Sequence, residues 1–405
     1  NALTQSFDPH SSFMPSESAN AFAYELSGEA LSFGFHLDDN EDGEIIISSV
    51  VPGGPAWNSG KVEEGDLVKA IDIKGREKII FDCKSAAWAE FTINGTDEKT
   101  IRLFLEKSNG TEIGVDLEKD RIRIDENRVK SFVYGKRPAV GYVSIPGFYT
   151  RWGSESANGC AEDLARQLMR MRKDDIEGLI IDLRYNSGGS MLEAMNLAGI
   201  FIDEGPLLVL EEGNDEPVIY KDLNRGTIFD KPIVVMINGY SASASEFFAA
   251  VMQDYNRAVI VGTTSFGKST SQEILPLNDD PDYVVDEDPL TKNTDYVKVT
   301  TSVFYRVTGA SYQKIGVIPD IVLDVDNDDF DRHESALPHA LPNISTEKEV
   351  RYHQLPVLPV EQLRLAAEAR LMADSLFMQI RKENGEGKDS SKAIYTFPAN
   401  YETFA

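Results

Sequence analysis

Pro232-Ile-Val-Val-Met-Ile-Asn-Gly-Tyr-Ser-Ala-Ser-Ala-Ser-Glu-Phe-Phe-Ala-Ala-Val-Met252 is the stretch on which the fold turns. Its first six residues are apolar without alternation, which predicts a strand covered on both faces. Asn238-Gly239 ends that run, and from Ala244 the apolar residues continue into a predicted helix. A buried strand followed at once by a buried helix is the repeating unit of an α/β layer structure. The unit recurs on both sides. Upstream, Val140–Ile145 and Gly178–Asp182 read as apolar strands, with helices over Cys160–Met171 and Met191–Ile202; downstream, Ala258–Gly262 reads as another strand.

Residues 31 to 117 have a different rhythm. Leu31–Leu37, Glu44–Val51, Val68–Ile73, Lys99–Leu105 and Glu112–Leu117 read as short strands, with one short helix over Lys84–Phe91. Turn signals between them predict a small, partly open barrel. The first 28 residues are polar with scattered aromatics and read as the end of a preceding region. Val360–Glu383 is one long helical pattern behind the proline-broken segment Leu355–Pro359.

Composition narrows the function classes. At roughly 150 residues per domain, 405 residues suggest two or three domains. Hydrophobic residues at 41% and charged residues at 26% exclude wholesale disorder. A net charge of −27 argues against nucleic acid or anionic lipid as a partner, because phosphate binding needs a basic footprint. No run approaches the ~18 apolar residues of a membrane span. Cys83 and Cys160 fall in different predicted domains and make neither a disulfide scaffold nor a zinc site. The chain opens Asn-Ala-Leu with no apolar signal segment, and reads as a processed or truncated product.

Three motifs compete for the chemistry. Asp38-x-Asn40-x-Asp42-Gly43 begins like a calcium loop, but Ser49 stands where a bidentate Glu belongs and the flanks are strands. The acidic run Asp324–Asp331 also lacks the central Gly and closing Glu. Both read as solvated charge, and no metal site is expected. Gly262-Thr-Thr-Ser-Phe-Gly-Lys-Ser269 matches the phosphate-loop pattern letter for letter, yet Thr270–Pro276 continues as a short strand. A phosphate loop needs a helix N-terminus there, so the match is accidental. The third motif is Ser241-Ala-Ser243-Ala-Ser245-Glu246 at the strand-to-helix turn, where a serine stands exposed beside helix N–H groups. Ser243-x-x-Glu246 is equally a capping box. A second such turn, Asp182-Leu-Arg-Tyr-Asn186-Ser-Gly188-Gly189, offers backbone N–H groups suited to an oxyanion. The five histidines lie in turns or tails, so a Ser-His-Asp triad lacks its base and Lys268 is the nearby candidate.

Asn238–Glu246, Phe266-Gly-Lys268 and Gln272 together resemble the C-terminal processing peptidases, and among them the tail-specific members. Asp8-Pro-His10, Gly53-Gly-Pro-Ala56, Ile145-Pro-Gly-Phe148, Ile181–Asn186, Phe304-Tyr-Arg-Val307 and Gly316-Val-Ile-Pro-Asp320 extend the resemblance over most of the chain. It implies an α/β multidomain protein. Its parts would be the end of an N-terminal helical region (1–28), a PDZ-like domain (29–118), a crotonase-like Ser-Lys protease core (119–330) and a C-terminal helical extension (331–405). It also implies Ser243 as nucleophile, Lys268 as base 25 positions on, Gln272 orienting the lysine, and Asp254 as an acidic residue important to the tail-specific members. The oxyanion hole would be Ala244 with Gly188 and Gly189. Ser32-Phe33-Gly34-Phe35 would be the loop that binds a substrate's terminal carboxylate. Ser269 and Ser271 depart from the family pattern beside the lysine. The implied function is a serine endopeptidase that recognises apolar C-terminal tails. It uses no cofactor, works in the periplasm or cell envelope, and has room for an adaptor protein. The alternative is a non-catalytic peptide- or ligand-binding protein on the same scaffold.

A lysine base carries a physical requirement. Its free pKa of about 10.4 must fall by roughly three units to serve near neutrality. Burial does this and a tight carboxylate partner undoes it. Lys268 is therefore expected to be buried without an ion pair, and Asp254 to act at longer range or structurally.

Overall fold

The computed structural model describes residues 3–386 except 28, 41, 74–77, 82–83, 95, 97, 124–127, 151–158, 214, 278–293 and 324–332. Cys83 and the acidic run Asp324–Asp331 lie outside the described residues.

Four apolar strands, Val140–Ser144, Gly178–Asp182, Ile233–Ile237 and Val259–Gly262, pair in parallel in that order. Ile321–Val322 adds a short parallel strand at one edge, and Lys130–Tyr134 pairs antiparallel at the other. Ile181, Val235 and Ile260 are fully buried, because helices and loops cover both faces. Helices Cys160–Met171, Met191–Gly199 and Ala244–Asp254 carry the crossovers. The last is buried at every residue but Gln253. Phe248 alone contributes about 2–3 kcal/mol by leaving water.

A second, antiparallel sheet packs beside this layer. Its spine is Tyr296–Tyr305, flanked on one edge by Thr270–Pro276 and on the other by Ser12–Met14 and Gly205–Glu212, with Val218–Asp222 beyond. The N-terminal residues thus add a strand to the sheet that also holds the segment after Lys268.

The small β unit has its own core, centred on Phe33, Ile47, Ile71, Leu103 and Leu105. Phe35–Asp39, Ile45–Val50, Leu67–Ile73, Thr100–Glu106 and Glu112–Glu118 form its sheet in that order, with Ile79–Ile80 paired to Leu67–Ile73. Helix Ala86–Asn94 packs along Phe35–Asp39. Glu29–Ser32 pairs antiparallel with Asp120–Arg123, so the chain enters and leaves this unit on one two-stranded ribbon.

Local differences from the sequence reading have local causes. The strand expected over Leu31–Leu37 is broken at Gly34, where φ is +80° and an added Cβ would lie 3.0 Å from Pro55 Cδ. The long C-terminal helix is two, Val360–Ala373 and Ser375–Glu386. Asp374 between them is extended, and its carboxylate caps the second by accepting from Leu376 and Phe377 N–H. The calcium-like stretch is a hairpin turn in which the Asn40 side chain accepts from the N–H groups of Asp42 and Glu44.

Candidate active site

The three serines of Ser241-Ala-Ser-Ala-Ser245 have different fates. Ser241 is fully buried, donating to the Leu183 carbonyl at 2.8 Å and accepting from Asn238 N–H. Ser245, also fully buried, donates to the Asn186 carbonyl at 2.8 Å. Ser243 alone retains some exposure. It caps helix Ala244–Asp254 with φ 57° and ψ −114°, a conformation that costs a non-glycine residue about 1–3 kcal/mol. A strained, accessible serine at a strand-to-helix turn is the geometry of a nucleophile elbow.

Glu246 organises everything around it. This fully buried carboxylate accepts Ser243 N–H and Lys268 N–H, each at 2.8 Å, on Oε2. On Oε1 it accepts Gly267 N–H at 2.6 Å and Ser265 Oγ–H at 2.5 Å. The amide nitrogens of Ser243 and Lys268 therefore lie no farther apart than twice that 2.8 Å. Burial drives the Glu246 carboxyl up to about 7 against the pull of its four donors. The same contacts explain why the phosphate-loop match is empty: Glu246 takes the amides of Gly267 and Lys268 that would face a phosphate, and Thr270–Pro276 follows as a strand. The sequence reading saw Glu246 only as a capping-box residue; its reach to residues 265–268 is a tertiary fact.

Lys268 is brought down to about 8, chiefly by burial, with Lys298 adding to the effect and Glu334, Glu246 and Asp8 opposing it. Its Nζ donates to the Thr270 carbonyl at 2.7 Å. It has no carboxylate within ion-pair distance among the described residues. No hydrogen bond joins Ser243 Oγ to Lys268 Nζ among them either, so the two are neighbours through their backbones. Gln272 does not touch the lysine directly. Its Nε2 donates to the hydroxyls of Thr270 and Thr300, both at 3.1 Å, so Lys268 and Gln272 meet at Thr270.

The glycine turn sits against the serine. A Cβ on Gly188 would lie 3.0 Å from Ser243 Cβ and 3.3 Å from Ala244 N, and one on Gly189 would lie 2.5 Å from the Phe148 carbonyl oxygen. Gly188 N–H donates to the Asn186 side chain, whereas Ala244 and Gly189 N–H find no acceptor among the described residues.

Asp254 lies at the far end of the helix that Ser243 begins. It forms a buried pair with Arg306, whose guanidinium reaches both carboxylate oxygens at 2.6–3.1 Å. Its carboxyl is pushed up by burial and pulled down by Arg306, and it does not meet Lys268. Two histidines do return to the site, contrary to their reading as remote. His10 Nε2 lies 2.7 Å from Glu334 Oε2, and Glu334 N–H donates to the Phe266 carbonyl beside the lysine. His333 is buried next to it. His10 returns because Ser12–Met14 pairs with Tyr296–Tyr305, and His333 because Glu334 is bonded to Phe266 and Gln313, which no local pattern announces.

In the small unit, Phe33 is core, Gly34 N–H is bonded to the Ser32 hydroxyl at 3.1 Å, and Phe35 starts the edge strand Phe35–Asp39.

The sequence signature of the PDZ domain matches residues 26–78, and that of peptidase family S41 matches residues 139–323. The tail-specific protease of Haemophilus influenzae is 34% identical over 346 residues, which are 83% of this chain and 47% of that one. The carboxy-terminal-processing protease of Bartonella bacilliformis is 30% identical over 331 residues, 80% of this chain and 68% of that one. This chain belongs to peptidase family S41. It spans about half the length of the Haemophilus relative. Among solved structures, a photosystem II D1 C-terminal processing protease is 21% identical with a TM-score of 0.44, covering 82% of each chain. No helix among the described residues is long and apolar enough to cross a membrane.

Proposed function

We propose that this chain is the PDZ-and-protease portion of a serine endopeptidase. The observation that carries the reading is the Glu246 carboxylate, which holds the backbones of the accessible serine and of the buried, pKa-lowered lysine on one oxygen. Neutral Lys268 takes the Ser243 hydroxyl proton as Oγ attacks a peptide carbonyl. Its N–H on the Thr270 carbonyl leaves the lone pair free for that proton, and Gln272 acts on it through Thr270. The alkoxide that forms is met by Ala244 and Gly189 N–H, with Gly188 keeping the pair in place. The protonated lysine then gives its proton to the departing amine, and a water repeats the sequence to release the acyl group. Substrates are proteins with apolar C-termini, added as a strand along Phe35–Asp39 with the carboxylate at the Ser32–Phe35 loop. The tail-specific resemblance carries a periplasmic or envelope setting with it.

A serine-directed covalent probe tests this. Wild type should label at Ser243, and Ser243→Ala should lose both labelling and cleavage of unfolded, apolar-tailed proteins while losing about 1 kcal/mol of stability at most. Undiminished cleavage by Ser243→Ala would overturn the reading in favour of a binding protein or another nucleophile.

A further inference from the structure

Among the described residues, the edge strand Phe35–Asp39 pairs with Ile45–Val50 on one side only, and helix Ala86–Asn94 lies along it. An added strand would take its hydrogen bonds from the N–H groups on the open side. Leu37 N–H is one of these, and it is already bonded, to Glu90 Oε1 on the helix at 2.9 Å. Two residues on, and so on the same side by the alternation of a strand, Asp39 N–H is bonded to Asp38 Oδ1 at 2.8 Å. Carboxylates therefore occupy the positions that an incoming peptide's carbonyls need. Glu90 also lies 3.6 Å from His36 Nδ1, and its side chain is 34% exposed, free enough to move away.

We infer that Glu90 is a gate on the tail-binding edge, which an incoming C-terminal strand must displace from Leu37 N–H and which then selects a basic side chain in the tail. This rests on the tail-binding reading above. The carbonyl of the tail replaces the carboxylate on Leu37, so a charge-assisted hydrogen bond is exchanged for a neutral one and binding is weakened by the difference. The displaced carboxylate remains on the helix that walls the groove, where a Lys or Arg of the tail offers it a new partner. An acidic side chain there meets a like charge, on a chain whose net charge is already −27.

The test uses the full chain in a Ser243→Ala background, to prevent turnover, and fluorescent peptides with an apolar free C-terminus. The peptides carry Ala, Lys or Glu just inside the terminus, and each has an amidated twin. Glu90→Ala should bind the Ala peptide about threefold tighter or more, with the preference for Lys gone. Glu90→Gln keeps an acceptor for Leu37 and should bind the Ala peptide between the two, also without a Lys preference. Leu37 amide exchange should quicken in Glu90→Ala and slow again when peptide is added. Equal or weaker binding of the Ala peptide by Glu90→Ala would overturn the gate. Unchanged binding with new self-association would do so too, by showing that Glu90 only blunts a sheet edge. If free-acid and amidated peptides bind alike while Glu90→Ala still tightens both, terminal-carboxylate recognition fails and the gate stands.

Discussion

At the scale of single residues, the proposed catalytic arrangement depends on two buried groups with opposed requirements. Glu246 must be ionised to accept four donors, because a proton on either oxygen turns an acceptor toward an N–H or a hydroxyl. Lys268 must be neutral to accept the serine proton. The first is held at about 7 and the second at about 8, both mainly by burial. The logarithm of kcat/KM should therefore rise with pH at slope two below 7 and slope one between 7 and 8, then level off, with the apparent values belonging to the pair. Glu246→Gln should remove one ionisation, leaving slope one. Because Glu246 pulls the lysine upward, that single break should also fall below 8. Its rate should drop about a hundredfold, as an amide oxygen replaces only one of the two carboxylate oxygens and the NH2 in the other's place faces two donors, displacing the segment that carries Lys268 from Ser243. A pH–rate profile of the two proteins checks this, and a break unmoved in Glu246→Gln would count against it.

Helix Ala244–Asp254 is the element that ties chemistry to framework. Its N-terminus presents Ser243, and its C-terminus is fastened by Asp254 to Arg306 at the end of strand Tyr296–Tyr305. Breaking a buried pair leaves an uncompensated charge, so Asp254→Ala should lose about 3–5 kcal/mol of stability. The double variant Asp254→Ala/Arg306→Met should regain much of it. Activity should follow stability across this set, measured by urea unfolding beside peptidase assays. A stable double variant without activity would instead place Asp254 in the chemistry. The helix itself was plain in the apolar run after Glu246, as were strands Ile233–Ile237 and Thr270–Pro276, because each is buried on all sides or starts at a marked turn. The antiparallel sheet around Tyr296–Tyr305 was not. Ser12–Met14 and Gly205–Glu212 join it across large sequence separations, and Val218–Asp222, mostly polar or exposed, enters only as the hairpin partner of Gly205–Glu212.

At the scale of the molecule, two cores are joined by the ribbon of Glu29–Ser32 and Asp120–Arg123, so the proposed tail-binding unit and the proposed protease site belong to one chain. On the proposed reading, amidating an apolar tail removes the charge that the Ser32–Phe35 loop would bind. It should slow processing at least about tenfold, equivalent to 1.4 kcal/mol, while internal cleavage of a casein-like protein changes less. Competition between free-acid and amidated substrates in one reaction measures this; equal rates would show that the small unit does not select termini. A substitution at Gly34 is a poorer probe, since its positive φ and the nearby Pro55 would damage the turn itself.

By itself the sequence determined the layer structure, the strand-to-helix turn with its serines, and the lysine that follows, because local burial patterns and turn residues are written in consecutive positions. It also made lysine the candidate base because no histidine lies near in the chain, a ground that the fold weakens by returning His10 and His333 to the neighbourhood of Lys268. Which serine is free was decided only by tertiary structure, through the carbonyls of Leu183 and Asn186 that take Ser241 and Ser245. The same holds for Glu246 on residues 265–268, for Glu334 with His10 behind the lysine, and for Glu90 on Leu37. Each is a hydrogen bond between groups made neighbours by packing, and a side chain of ordinary type carries no mark of the partner that the fold will bring to it.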